Sequence, residues 1–179
     1  TSNAVLLHAL EDSVIRTFQS VNNSMQTLAE NLANETSLEA IKQLLGEQLR
    51  VAPQLRTIDL VDTQGVIQAS MTRTQGSQLS YSCIDTLTSE PLTEFIIGTS
   101  KQGRYPNDPF AAQSSYRYIP FCVPVLDANN QLIQVLIASI NPQYFYNLFS
   151  TITDSFATHM HLYRYDGARL LGTSSIQPQ

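Results

Sequence analysis

Six residues in the middle of this chain have side chains suited to holding a small molecule: Tyr81, Arg104, Tyr105, Tyr116, Arg117 and Tyr118. An arginine in a partly dry pocket presents a planar fork, which gives a carboxylate or phosphate two charge-assisted hydrogen bonds. Tyrosine adds contact area and one polar handle. Side chains alternate along a strand, so in the run Tyr116–Leu126 the rings of Tyr116 and Tyr118 share one face and Arg117 takes the other. Arg104 and Tyr105 lie in the adjoining segment Gly98–Ser115, which is rich in Gly, Pro, Ser, Asn and Gln. Loops of that length inside compact domains tend to be functional or mobile. These six are the ligand-binding candidates. The plainer expectation is that strand aromatics pack and single arginines face solvent.

Catalytic chemistry finds less support. His8 falls in an N-terminal helical region, and His159 and His161 flank Met160, so both point to one side of a strand. Two histidines at that spacing can hold a metal, but no carboxylate or thiol motif accompanies them. An exposed strand edge is the expectation. There is no G-x-S-x-G elbow, P-loop or H-E-x-x-H. No catalytic residue, metal site or cofactor is assigned, and the domain is not read as an enzyme. Asp62, Asp127 and Asp166 each lead a turn between two strands. Asp forms such turns because its carboxylate accepts backbone N–H groups two residues on. The two cysteines, Cys83 and Cys122, form no C-x-x-C. They either pair in an oxidising compartment or pack as small buried side chains, and packing is the expectation.

The chain has 179 residues, enough for one to two domains and a proper core. Its formal charge is −5, and its 10 Lys and Arg are scattered singly. Nucleic acid is therefore excluded as a partner, because phosphate binding wants clustered cations. No apolar run approaches the roughly 20 residues of a membrane helix. Ser2-Asn3-Ala4 resembles the scar of tag removal, so the chain reads as an excised piece whose membrane helix could have been trimmed from either end.

The elements that must position the candidates follow from hydrophobic spacing. No Gly or Pro precedes Gly46, and Leu7, Leu10, Val14, Phe18, Val21, Met25, Leu28 and Leu32 recur every three or four residues. That predicts one long helix with a stripe close to a coiled-coil seam. Thr36 and Glu39 suggest a capping box for a second helix with Leu38, Ile41, Leu44 and Leu45, punctuated by Gly46 and Pro53. Strands are predicted at Thr57–Asp62, Val66–Ser70, Phe95–Thr99, Tyr116–Leu126 and Leu132–Ile140, with partial helix over Tyr81–Thr93. A helix over Pro142–Ile152, capped by Asn141, leads to a hairpin of Met160–Tyr165 and Arg169–Thr173 around Asp166-Gly167.

The strings Ile58-Asp59-Leu60-Val61-Asp62-Thr63-Gln64-Gly65, Phe121-Cys122-Val123-Pro124-Val125-Leu126-Asp127, Val135-Leu136-Ile137-Ala138-Ser139-Ile140, Pro142-Gln143-Tyr144-Phe145 and Tyr165-Asp166-Gly167-Ala168-Arg169-Leu170-Leu171 resemble the Cache, or PDC, extracytoplasmic sensor domains. The nearest flavour is the double-Cache region of bacterial membrane receptors with diguanylate cyclase, histidine kinase or chemotaxis outputs. The resemblance implies an α+β fold: a long N-terminal helix, a five-stranded antiparallel PAS-like sheet with flanking helices, and a C-terminal hairpin. It implies three parts: 1–54 as stalk and dimerisation region, 55–152 as sensor module, and 153–179 as a hairpin resembling the opening of a second, membrane-proximal module. It also implies a small-molecule ligand, polar or anionic, periplasmic exposure, a membrane anchor in the full-length protein and a homodimer. The alternative is a dimeric transmission module that binds no small molecule. Two departures stand out. Val123 occupies the place where many members carry Arg, and Tyr81-Ser82-Cys83-Ile84-Asp85 stands where amino-acid-binding members have Arg-x-Trp-Tyr. An amino-acid receptor of that type is not implied, and the ligand class stays open.

Overall fold

The computed structural model describes residues 2–73, 75–156 and 161–172. Helix α1 (Ser2–Ala33) lays its stripe on one face of a sheet. Leu10, Val14, Val21, Met25, Leu28 and Leu32 are buried there, and the Phe18 ring stacks on Phe145 at 5.3 Å. Each such aliphatic side chain contributes roughly 1.5–3 kcal/mol on burial. The stripe is thus mostly a core seam of this chain. Only its start differs: Leu7 is exposed, as are Val5 and Ile15.

Helix α2 (Leu38–Val51) is capped by Ser37, whose Oγ accepts the Ala40 amide, and not by Thr36 as predicted. With Leu38 as the first helical residue, Glu39 stands one place too early to close a capping box. The Glu35 carboxylate accepts the Thr36 and Ser37 amides instead. Gly46 also does not end the helix. It lies inside α2, where a Cβ would come within 3.3 Å of Met71 Cε. The stop comes at Val51, because Pro53 disfavours helical geometry in Ala52 before it.

The sheet contains β1 (Leu55–Asp62), β2 (Ile67–Ser70), β3 (Ile96–Ile97), β4 (Lys101–Gln102), β5 (Arg117–Leu126) and β6 (Leu132–Ile140). Its order is β2-β1-β6-β5-β3, with β4 also pairing β5, and every pairing is antiparallel. β4 and a 3-10 turn at Ala111–Gln113 break up the segment predicted as one long loop. The strand predicted at Phe95–Thr99 shortens to β3. The turns behave as expected: Asp62 Oδ1 accepts the Gln64 and Val66 amides, and Asp127 Oδ1 those of Asn129 and Gln131.

Alternation gives the sheet two faces. Ile58, Leu60, Phe121, Val123, Leu136 and Ala138 point to α1 and α2. Val61, Cys122, Val135 and Ile137 point to the other side, where they meet Cys83, Ile84 and Leu87 of α3 (Ser82–Ser89). There the packing expectation for the cysteines is overturned, since Cys83 and Cys122 form a disulfide between α3 and β5. The antiparallel sheet brings the two residues within reach, at a Cα–Cα separation of 6.5 Å.

Helix α4 (Gln143–Phe156) begins after Asn141, whose Oδ1 accepts the Gln143 amide as predicted. Strands β7 (His161–Tyr163) and β8 (Arg169–Gly172) pair with each other in a separate sheet. The hairpin leans on the module all the same: Leu170 is buried in the main core and Arg164 donates to the Ile97 carbonyl. His159, Met160 and Thr173 lie outside the described residues.

Candidate functional site

The face of the sheet away from α1 carries an unusual polar floor. Alternation along β1 puts Thr57 and Asp59 on it, Ser139 comes from β6 and Tyr118 from β5. Thr57 and Ser139 are buried and satisfy each other, hydroxyl to hydroxyl at 3.0 Å. Asp59 is different. Its side chain is 0% exposed and faces the guanidinium of Arg73, itself 7% exposed, across 3.5 Å. No carboxylate oxygen and none of the three guanidinium nitrogens makes a hydrogen bond of good geometry, although the Ser70 hydroxyl lies near enough to Asp59 to favour its charged form. Five buried polar atoms thus hold unused hydrogen-bonding capacity, which is costly unless a further group supplies it.

Local structure explains how Arg73 reaches the site. Ser70 pairs with Asp59 across β1 and β2. Its Oγ then accepts the amides of Thr72 and Arg73, and this turns the chain back over the sheet end. Tyr105 covers the guanidinium, with its ring centroid 4.6 Å from Arg73 Cζ. The loop carrying Tyr105 is held by Asp108, whose two oxygens accept the amides of Arg104 and Phe110. Asn107 ties the same loop to the Gln78 carbonyl at 2.8 Å. Tyr81, at the start of α3, and Tyr118 share a hydrogen bond between their hydroxyls.

The electrostatics follow from burial. Desolvation raises the pKa of Asp59, and Arg73 only partly offsets this. Burial raises Tyr81 and Tyr118 as well, both of which feel the charges of Arg73 and Asp59. Asp108 is lowered, first by the Arg104 amide it accepts. The site is therefore a dry ion pair walled by neutral phenols.

Of the six sequence candidates, Tyr81, Tyr105 and Tyr118 converge around this pair. Arg104 lies instead over the Tyr116 ring at 4.6 Å, and Arg56 approaches the same ring at 5.3 Å. Arg117 is exposed and donates to the Oγ and carbonyl of Ser100. Sequence reasoning missed Asp59, Arg73 and Asp108. Asp59 left a trace, as a lone acid within the apolar strand run Ile58–Val61. Arg73 left none, because it lies in a turn whose path only the folded chain defines. Among the described residues, no group of three or more His, Cys, Asp or Glu side chains could hold a metal ion.

The architecture around this site has close counterparts among solved structures. The extracellular domain of rpHK1S-Z16, named as a histidine kinase, superposes with a TM-score of 0.76 at 17% identity, over 96% of this chain and 69% of that one. The chain has the fold of an extracellular ligand-binding sensor domain. An extracellular ligand-binding receptor from Desulfohalobium retbaense matches with a TM-score of 0.73 at 16% identity, over 93% of this chain and 30% of its own length. The ligand-binding domain of the Pseudomonas aeruginosa amino-acid chemoreceptor PctC, in complex with GABA, matches with a TM-score of 0.67 at 14% identity, over 93% of this chain and 72% of its own. The α+β sensor fold expected from the Cache resemblance is therefore the fold observed. No protein-family model and no curated protein match the sequence.

Proposed function

We propose that this chain is the extracytoplasmic ligand-sensing region of a membrane-bound signal-transduction receptor, of histidine kinase, diguanylate cyclase or chemoreceptor type. The observation that carries the reading is the Asp59–Arg73 pair: two buried opposite charges that face each other with hydrogen-bonding capacity left over, on the face of the sheet away from α1. A small polar molecule with an anionic group for Arg73 and a cationic or donor group for Asp59 would complete both. Sensor-fold neighbours bind amino acids and GABA, ligands of that double character. An anion alone fits less well, because it would share the space with the Asp59 carboxylate.

The buried disulfide suits an oxidising compartment. Among the described residues no helix is long and apolar enough to cross a membrane, so an anchor would lie elsewhere in the full-length protein. We read residues 1–54 as the stalk and dimerisation region, whose helices also pack on the sheet, 55–152 as the sensor module and 153–179 as the opening of a second module, since among the described residues β7 and β8 pair with each other and not with the main sheet. Dimerisation would use the exposed start of α1 at Val5, Leu7 and Ile15.

A thermal-shift screen of amino acids, GABA and small carboxylates tests the proposal. A true ligand raises Tm progressively with its concentration. That rise should vanish in Asp59→Asn and Arg73→Gln. A hit indifferent to both variants would put the pocket elsewhere. A screen without hits would favour the module that transmits without a ligand.

A further inference from the structure

Two adjacent residues of one loop face two different clusters. Tyr105 lies on Arg73 of the ligand site. Arg104, its neighbour, lies 4.6 Å from the ring centroid of Tyr116. The same ring receives Arg56 at 5.3 Å. Arg56 then donates from Nη1 to the Arg117 carbonyl and from Nη2 to Asn141 Oδ1, the latter at 2.7 Å. Asn141 Oδ1 is also the cap of α4, accepting the Gln143 amide at 3.0 Å. A continuous line of contacts therefore runs from the cover of the ligand site to the first turn of the helix that leaves the sheet.

We infer that Arg104, Tyr116, Arg56 and Asn141 form a relay that couples occupancy of the Asp59–Arg73 site to the start of α4, an inference that rests on the sensing role proposed above. Two guanidinium groups share one ring, and neither forms a carboxylate ion pair among the described residues. Arg56 is half-buried and anchored, whereas Arg104 is exposed and held to the ring. Like charges repel, so the pair is poised: Arg104 is the member that can leave at small cost. A ligand that engages the Arg73 guanidinium competes with Tyr105 for it. Movement of Tyr105 carries Arg104 with it through the intervening peptide. Loss of Arg104 from the ring removes a repulsive neighbour from Arg56 and changes how firmly Arg56 holds the Asn141 cap. The loop is built to move as one piece, because Asp108 accepts amides on both sides of Tyr105.

The test uses ligand-free protein and amide exchange at Gln143, Tyr144 and Phe145, read by NMR. Tyr105→Ala, which removes the ring from Arg73, should change those rates about threefold, within the usual range of coupling between sites. In an Arg104→Ala background the same substitution should change them by less than about 1.5-fold, because the connecting side chain is gone. Tyr105→Phe keeps the ring and should behave as the parent. Lys101→Ala, an exposed change on neighbouring β4, should leave the rates unaltered. If Tyr105→Ala acts equally with and without Arg104, or if Lys101→Ala reproduces its effect, the relay is wrong. Should Tyr105→Ala not fold, Tyr105→Leu carries the same comparison. Because no ligand is present, a failed relay leaves the binding site standing. A failed ligand screen leaves the relay measurable.

Discussion

Removing one member of the Asp59–Arg73 pair should harm the fold far more than removing both. At 3.5 Å, two unit charges attract by about 4–5 kcal/mol with an effective dielectric near 20. Against this stands the cost of drying two ions, several kcal/mol for each even after relaxation. The two effects roughly cancel, and the missing hydrogen bonds tip the balance towards a site that is tolerated and not stabilising. Arg73→Met leaves a bare buried carboxylate and should cost about 3–5 kcal/mol. For a chain of this size that lowers Tm by roughly 6–20 °C. The double variant Asp59→Leu with Arg73→Met fills the space with apolar groups and should melt at or above the parent temperature. Chemical denaturation of the parent, both single variants and the double variant measures the cycle at pH 7.5. A double variant less stable than either single one would refute the claim that these charges are kept for binding and not for stability.

Asp59 should also leave a mark on the pH dependence of stability. Its folded pKa is raised above the ordinary 3.8, so its contribution is fully present below that value and is lost as pH rises through the folded pKa. Asp59→Asn should flatten that decline, and melting curves from pH 4 to 8 would show a parallel decline if another group were responsible. The disulfide closes a loop with a sequence separation of 39, so Cys83→Ala with Cys122→Ala should lose about 4 kcal/mol of stability; a reduced parent that melts unchanged would contradict the bond. Gly65→Ala should cost at least about 2 kcal/mol, because φ is +85° and the new Cβ would stand 2.1 Å from the Leu79 carbonyl oxygen. Gly76→Ala has a similar φ of +89° but meets nothing within 4 Å, so about 1 kcal/mol is expected, and equal losses in urea melts would show that strain alone decides.

Local chemistry made most elements of this fold legible. The period of Leu10, Val14, Val21, Met25 and Leu28 dictates a helix, and the runs around Ile58 and Val135 dictate strands, because burial of one face selects the period. The Asp-led turns and the Asn141 cap could be read for the same reason, since their hydrogen bonds close within four residues. Where two neighbours offer the same chemistry, sequence could not choose: Ser37 caps α2 in place of Thr36. Gly46 reads as a stop, yet α2 runs through it to Val51, at a place where a Cβ would come within 3.3 Å of Met71 Cε. The site itself depended on distance in space. Tyr81, Tyr105 and Tyr118 were legible as side chains fit for binding, but Arg104 and Arg117 carry the same chemical promise and project elsewhere. Asp59 and Arg73 meet only because β2 pairs with β1 and Ser70 bends the chain back. The type of a residue determines what it can bind, whereas the antiparallel register determines which residues share one dry space.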